Sequence, residues 1–163
     1  MTKRNGIAVL RARLTKELDD VREVVGRVAS HYQQLGDTEV DDLVAAGFAA
    51  YLHSFYNGVE NIFKVIAEYL DDFTPNGGRW HQDLLEQMAL EIPGVRPAIL
   101  SSELAETLRE YLELRHFFRH SYSFQIEWEK LKPKVEKLNA IFTHFETALV
   151  NFIVFLDGAA NEI

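Results

Sequence analysis

Apolar residues in this chain recur in steps of three and four, and no segment reads as a strand that alternates in steps of two. That periodicity constrains the fold more than any other feature, because it buries one stripe per helix. Leu14, Leu18, Val21, Val25, Val28, Tyr32 and Leu35 form the first stripe, and Gly36 closes it. Asp37 or Thr38 is placed to cap a second helix, which carries Leu52, Phe55, Tyr56, Val59, Ile62, Phe63 and Ile66 and runs to about Asp72. Gly47 and Gly58 lie inside it, each costing roughly 1 kcal/mol against alanine, so close packing of a neighbouring helix is the expected compensation. The last stripe is Val135, Leu138, Phe142, Phe145, Leu149, Phe152 and Leu156. Its helix is expected from near Leu131, with Pro133 in the first turn and Gly158 at the end.

The middle of the chain is more broken. Thr74-Pro75-Asn76-Gly77-Gly78 is a turn cluster, a short helix is expected from about Trp80 to Leu90, and Pro93, Gly94 and Pro97 interrupt again. Ser101 or Ser102 then offers an N-cap, with Glu103 and Glu106 near the positive end of the helix dipole. Leu104, Leu108, Tyr111 and Leu112 line one side of that helix. Together these elements predict an all-α fold, an antiparallel bundle of about five helices forming one domain over residues 1–163. The stripes serve an intramolecular core or a dimer equally well.

With 47% hydrophobic and 26% charged residues the chain has the balance of a globular domain. It has no cysteine, which excludes a disulfide scaffold, a thiolate metal site and a cysteine nucleophile, and fits a reducing cytoplasm. No apolar run reads as a signal peptide or a membrane span, so a cytoplasmic protein without a membrane partner is expected. The net charge of −8 is unevenly spread. Residues 109–137 hold seven basic side chains against five acidic ones, so that segment carries +2 and the remainder −10. General attraction to a polyanion is therefore weak, and RNA binding would depend on a local site. Most of the acidic surface reads as a solvated face, or as one that meets a basic protein.

The local site is easy to find. Arg115-His116-Phe117-Phe118-Arg119-His120-Ser121-Tyr122 places two arginines, two histidines and a tyrosine in eight residues. Arginine offers a fixed cationic fork for phosphate, and histidine exchanges a proton near neutral pH. The stripe Leu104, Leu108, Tyr111 continues to Arg115, Phe118 and Tyr122, so Arg115 occupies a position that a bundle would fill with leucine. A buried guanidinium is costly unless paired, so Arg115 needs an anion or a cleft. His120 lies about 140° around an ideal helix from Arg115. The two converge only if the helix ends or bends near 120–130, or if a second chain completes the site.

Arg115, four intervening residues, His120, one residue and Tyr122 together match the R-x4-H-x-Y motif of HEPN-domain ribonucleases, and RHFFRHSY resembles the HepT-like toxin branch. The segment FYNGVENIFKVIAEYLD, residues 55–71, resembles that family's second helix, and Trp80-His81-Gln82-Asp83-Leu84-Leu85 its WHxxLL segment. The resemblance covers about residues 40 to 155. It implies a metal-independent endoribonuclease toxin of a type VII toxin–antitoxin pair, acting as a homodimer whose subunits meet in one cleft. His120 would then be the general acid/base and Arg115 would stabilise the phosphate. Arg119 could pair with a carboxylate, but its position beside His120 favours a contact to RNA phosphate, a role also expected of His116. The resemblance also implies that Tyr122 is AMPylated by a partner MntA-like nucleotidyltransferase, the antitoxin. The adenylate would add negative charge beside Arg115 and His120.

Other readings stand beside this one. One is a catalytically inactive HEPN module that docks a nucleotidyltransferase; another is a dimeric adaptor bundle with an interfacial Arg/His cluster. His116 and His120 have an i, i+4 spacing that can hold zinc, but no third ligand accompanies them, so no metal is expected. No cofactor is expected either: Gly77-Gly78 lacks the lysine and the strand of a phosphate loop. His81 reads as a capping or packing residue, and His31, His53 and His144 as structural ones. Asn57, Glu60, Asn61 and Lys64 form a polar strip, ordinarily a solvated face, which by the resemblance could flank the cleft.

Overall fold

The computed structural model describes residues 3–161, which form five α-helices and no strand. The helices are α1 (Lys3–Leu35), α2 (Asp42–Ile66), α3 (Trp80–Met88), α4 (Ser102–His120) and α5 (Trp128–Asn161). The all-α bundle expected from the periodicity is the fold observed. α2 is its centre and packs against all four other helices. Its expected stripe, from Leu52 through Ile66, is buried without exception. Ion pairs and hydrogen bonds between the two longest helices fix their sense: Arg11 meets Asp157, Arg22 meets Glu146 and Tyr32 meets Glu136, so α1 and α5 run antiparallel.

Several boundaries differ from the sequence expectation for local reasons. Asp41, not Asp37 or Thr38, caps α2, its carboxylate accepting from the Val44 N–H at 2.9 Å. The Thr38 N–H turns back to the Leu35 carbonyl to finish α1, and the chain needs further residues to reverse. Gly36 takes the left-handed conformation that this reversal needs (φ 52°). Ser101 is the cap of α4. α5 starts at Trp128 because the Glu127 carbonyl already accepts from Lys130 and Leu131; Pro133 therefore sits beyond the first turn. The helix also passes through Gly158 to Asn161. Of the two α2 glycines, Gly58 has the close packing expected of both: a Cβ there would strike Val21 Cγ2 of α1, whereas nothing among the described residues lies within 4 Å at Gly47.

α5 is long and apolar enough to cross a membrane by length and composition, with mean hydropathy 1.4 over its most apolar stretch, contrary to the sequence expectation. Its stripe from Leu131 to Leu156 lies in the bundle core, which accounts for much of that apolar character.

α3 is held by a buried charge pair. The end of α2 widens into a π turn, Ala67–Asp71, and Asp71 faces Arg96 of the 89–100 loop. Both side chains are at most 1% exposed. Arg96 donates twice to Asp71, at 2.6 and 2.7 Å, and also to the carbonyls of Leu90, Pro97 and Gln87. Gln87 of α3 closes the knot by donating to Asp71 at 2.7 Å. Every guanidinium N–H thus has an acceptor, which satisfies a buried arginine. The knot ties α3 to the end of α2.

Candidate functional site

α4 runs antiparallel to α2 along the edge of the bundle. Tyr111 packs edge-on against Phe55, and its hydroxyl donates to the Lys134 carbonyl of α5 at 2.8 Å. One turn later the stripe reaches Arg115, whose side chain is only 11% exposed. The anion that its burial demands is Glu60 of α2, 3% exposed, with Oε1 3.9 Å from Arg115 Nη2. Arg115 Nε donates to Asn57 Oδ1 at 2.6 Å. The polar strip on α2 is therefore split: Asn61 is exposed, whereas Glu60 faces inward and Asn57 stands between.

Two histidines belong to this cluster that sequence reasoning treated as packing. His81 Nδ1 donates to Glu60 Oε2 at 2.6 Å, its ring stacks on Trp80 (centroids 3.6 Å apart), and Lys64 Nζ lies 4.6 Å from the centre of the Trp80 ring. His53 approaches Asn57 at 3.2 Å and packs against Phe118. Burial lowers the His53 pKa, and the charges of Arg115 and Arg119 lower it further. His31 and His144, in contrast, are exposed. Beneath the cluster the Tyr56 hydroxyl is buried without a partner among the described residues, and burial raises its pKa well above the ordinary range. A helical-phase argument places Asn57, Glu60 and His53 on one face of α2, but it carried no sign of which α4 residue they would meet.

Beyond Arg115 the helix comes to the surface and stops. His116, Arg119 and His120 are all exposed, and the rings of His116 and His120 lie 4.4 Å apart. Arg119 and His120 fill the last turn of α4, where positive charge is favoured by the helix dipole. Ser121 is extended, so the helix ends at His120, within the region where an end or bend was expected. Tyr122 consequently leaves the stripe that ideal phase gave it. It begins a single 3-10 turn, Ser123–Gln125, with its N–H donating to Gln125 Oε1 at 2.8 Å. Its ring stacks on Phe124 and is 72% exposed. Arg115 is thus paired from inside, while His120, Arg119 and Tyr122 are presented outward at a helix end.

A protein-family model described as "HepT-like protein" matches residues 47–156. The chain belongs to the HepT-like family. The match spans α2 from its second turn through most of α5, and so includes Asn57, Glu60, His81 and the whole Arg115–Tyr122 string. No curated protein and no solved structure matches the chain significantly. Membership makes it a HEPN-type helical protein, in keeping with the bundle described above.

The surroundings of the motif in this HepT-like chain are apolar. Phe117, Tyr122 and Phe124 are exposed aromatics. Next to them a groove of about 620 Å³ is lined by Leu114, Phe117, Phe118, Ile126 and Leu131 among others. No group of three or more histidine, aspartate and glutamate side chains is arranged to hold a metal ion among the described residues.

Proposed function

We propose that this HepT-like protein is a metal-independent endoribonuclease toxin that acts as a homodimer. The observation that carries the reading is the paired state of Arg115: it is sunk between α4 and α2 and fixed by Asn57 and Glu60, one and a half turns before an exposed His120 at the helix end. A guanidinium held in one orientation suits an oxyanion whose charge grows in the transition state. His120 is open to take the proton from a ribose 2′-OH. That oxygen then attacks the adjacent phosphorus, and the bond to the 5′-oxygen breaks as the 5′-oxygen gains a proton. The products are a 2′,3′-cyclic phosphate and a 5′-hydroxyl. Arg119 and His116 contribute further phosphate contacts.

Arg115 and His120 do not share a helix face, so the complete cleft needs two copies related by symmetry. The exposed aromatics around the motif support a self-association surface there. Tyr122, outward-facing and next to the site, is the residue we assign to AMPylation by an MntA-like nucleotidyltransferase antitoxin. The bulky anion would compete with RNA phosphate for the same donors.

The adaptor reading calls for an interfacial Arg/His cluster, whereas Arg115 is paired with Glu60 inside its own chain. One experiment separates the two. Purified chain is incubated with RNA in EDTA, and the products are tested for cyclic phosphate. Cleavage lost in His120→Ala, with melting temperature unchanged, supports the nuclease; no cleavage by the parent chain removes it. Intact mass after co-expression with the nucleotidyltransferase tests the modification, which requires an added adenylate that Tyr122→Phe abolishes.

A further inference from the structure

The contacts of Arg115 can be read as an ordered chain of donors and acceptors. A guanidinium only donates, so the Asn57 atom beside Arg115 Nε is the amide oxygen. The amide nitrogen of Asn57 therefore faces His53 Nδ1, 3.2 Å away. An amide nitrogen also only donates, so Nδ1 accepts, and His53 is the neutral tautomer protonated at Nε2. That Nε2 is buried and has no partner among the described residues. Burial and the two nearby arginine charges favour the same neutral state. On the other side, Glu60 divides its oxygens. Oε2 accepts from His81 at 2.6 Å, leaving Oε1 for Arg115 at 3.9 Å and Lys64 at 3.8 Å. Among the described residues, Nε makes the hydrogen bond of the Arg115 side chain, and Nη2 has the longer ion-pair contact to Glu60.

The geometry points to His81, Glu60, Asn57 and His53 as positioning residues that fix the Arg115 guanidinium from two sides, with His81 as the remote anchor that aims Glu60. A carboxylate with one strong partner on Oε2 cannot rotate freely, so Oε1 stays directed at Nη2. Asn57 cannot flip, because reversal would set its amide N–H against Arg115 Nε–H. A second protonation of His53 would set an N–H against the Asn57 amide in the same way. The Asp71–Arg96 knot holds α3 in place, and α3 carries His81. The link between His81 and catalysis rests on the nuclease reading; the link between His81 and Arg115 does not.

The test uses the full chain in two measurements. In the first, nitrogen-15 NMR follows solvent exchange of the Arg115 Nε–H, assigned by its loss in Arg115→Lys. His81→Ala should speed that exchange about threefold to fivefold, inside the roughly two- to tenfold that the net worth of one hydrogen bond spans. Asn57→Ala, which removes the acceptor itself, sets the upper limit. His81→Gln, whose amide can still donate to Glu60, should restore most of the protection. In the second, His81→Ala should lower kcat on RNA by about 10²-fold, the scale of a misaligned catalytic group, while KM changes little. Unchanged Nε–H exchange in His81→Ala overturns the inference whatever kcat does. Faster exchange with unaltered kcat, in a parent that cleaves, overturns it also. If the parent does not cleave, the nuclease reading falls, and the exchange measurement alone decides whether His81 positions Arg115.

Discussion

Asp71→Asn should destabilise the bundle by about 3 kcal/mol, far more than an ordinary charge change. Arg96 is 0% and Asp71 1% exposed, so the substitution strands a positive charge with no access to water. Breaking a buried pair from one side costs about 3–5 kcal/mol, and the remaining asparagine oxygen still accepts one bond, which favours the lower end. Arg96→Met should cost more, about 4–5 kcal/mol, because it strands the Asp71 carboxylate and also leaves the Leu90, Pro97 and Gln87 carbonyls without this donor. The double variant should be more stable than Arg96→Met alone, since Asp71→Asn then removes the stranded carboxylate and has no arginine left to strand. The coupling energy is then at least about 3 kcal/mol, at the upper end of the range seen for residues in direct contact. Urea denaturation followed by far-ultraviolet circular dichroism measures all three. Additive single effects, or a loss below about 1 kcal/mol for Asp71→Asn, would refute the reasoning.

Three further outcomes follow from other parts of the molecule. Gly58→Ala should lower the melting temperature, because overpacking against stiff Val21 costs about 1–3 kcal/mol and helix propensity returns only about 1; Gly47→Ala, with open space at the Cβ, should raise it. His53 is neutral in the fold with a pKa below its ordinary 6.5, so the unfolded chain takes up the proton first. The stability that His53 contributes is complete above pH 6.5 and declines as pH falls from there towards the folded-state pKa, so melting curves of His53→Gln should show a shallower acid loss than the parent. A substrate carrying a single 2′-deoxyribose at the cleavage position should resist cutting there, which gel analysis of the products would show; cleavage at that bond would exclude the 2′-OH mechanism.

The periodicity made the fold legible because each stripe maps to one buried helical face: the stripes of α2 and α5 are core residues as expected, as is that of α1 up to Val28, with Tyr32 and Leu35 partly buried. Helix ends were less legible: Asp37, Thr38 and Asp41 are all acceptable caps locally, and the turn geometry after Gly36 selects Asp41. Arg115 could be recognised as a charge on an apolar stripe, but its counter-ion could not be named. Glu60 and Asn57 lie more than fifty residues earlier, and only the antiparallel crossing of α2 and α4 brings them to it. His81 was undervalued for the same reason, since its significance depends on a buried carboxylate supplied by another helix. Tyr122 was placed on the stripe by ideal phase, which fails one residue past the last turn of α4.

The central claim is that Arg115 and His120 form the working pair of an RNA-cleaving site. Its most direct measurement is the rate of RNA cleavage in EDTA by the parent chain, by His120→Ala, and by an equimolar mixture of His120→Ala with Arg115→Ala after subunit exchange. Each variant alone should be inactive. The mixture should recover part of the parental rate, because a mixed dimer contains one cleft with both residues intact. Full activity in either single variant, or an inactive mixture whose mixed dimers are verified by native mass, would contradict the account.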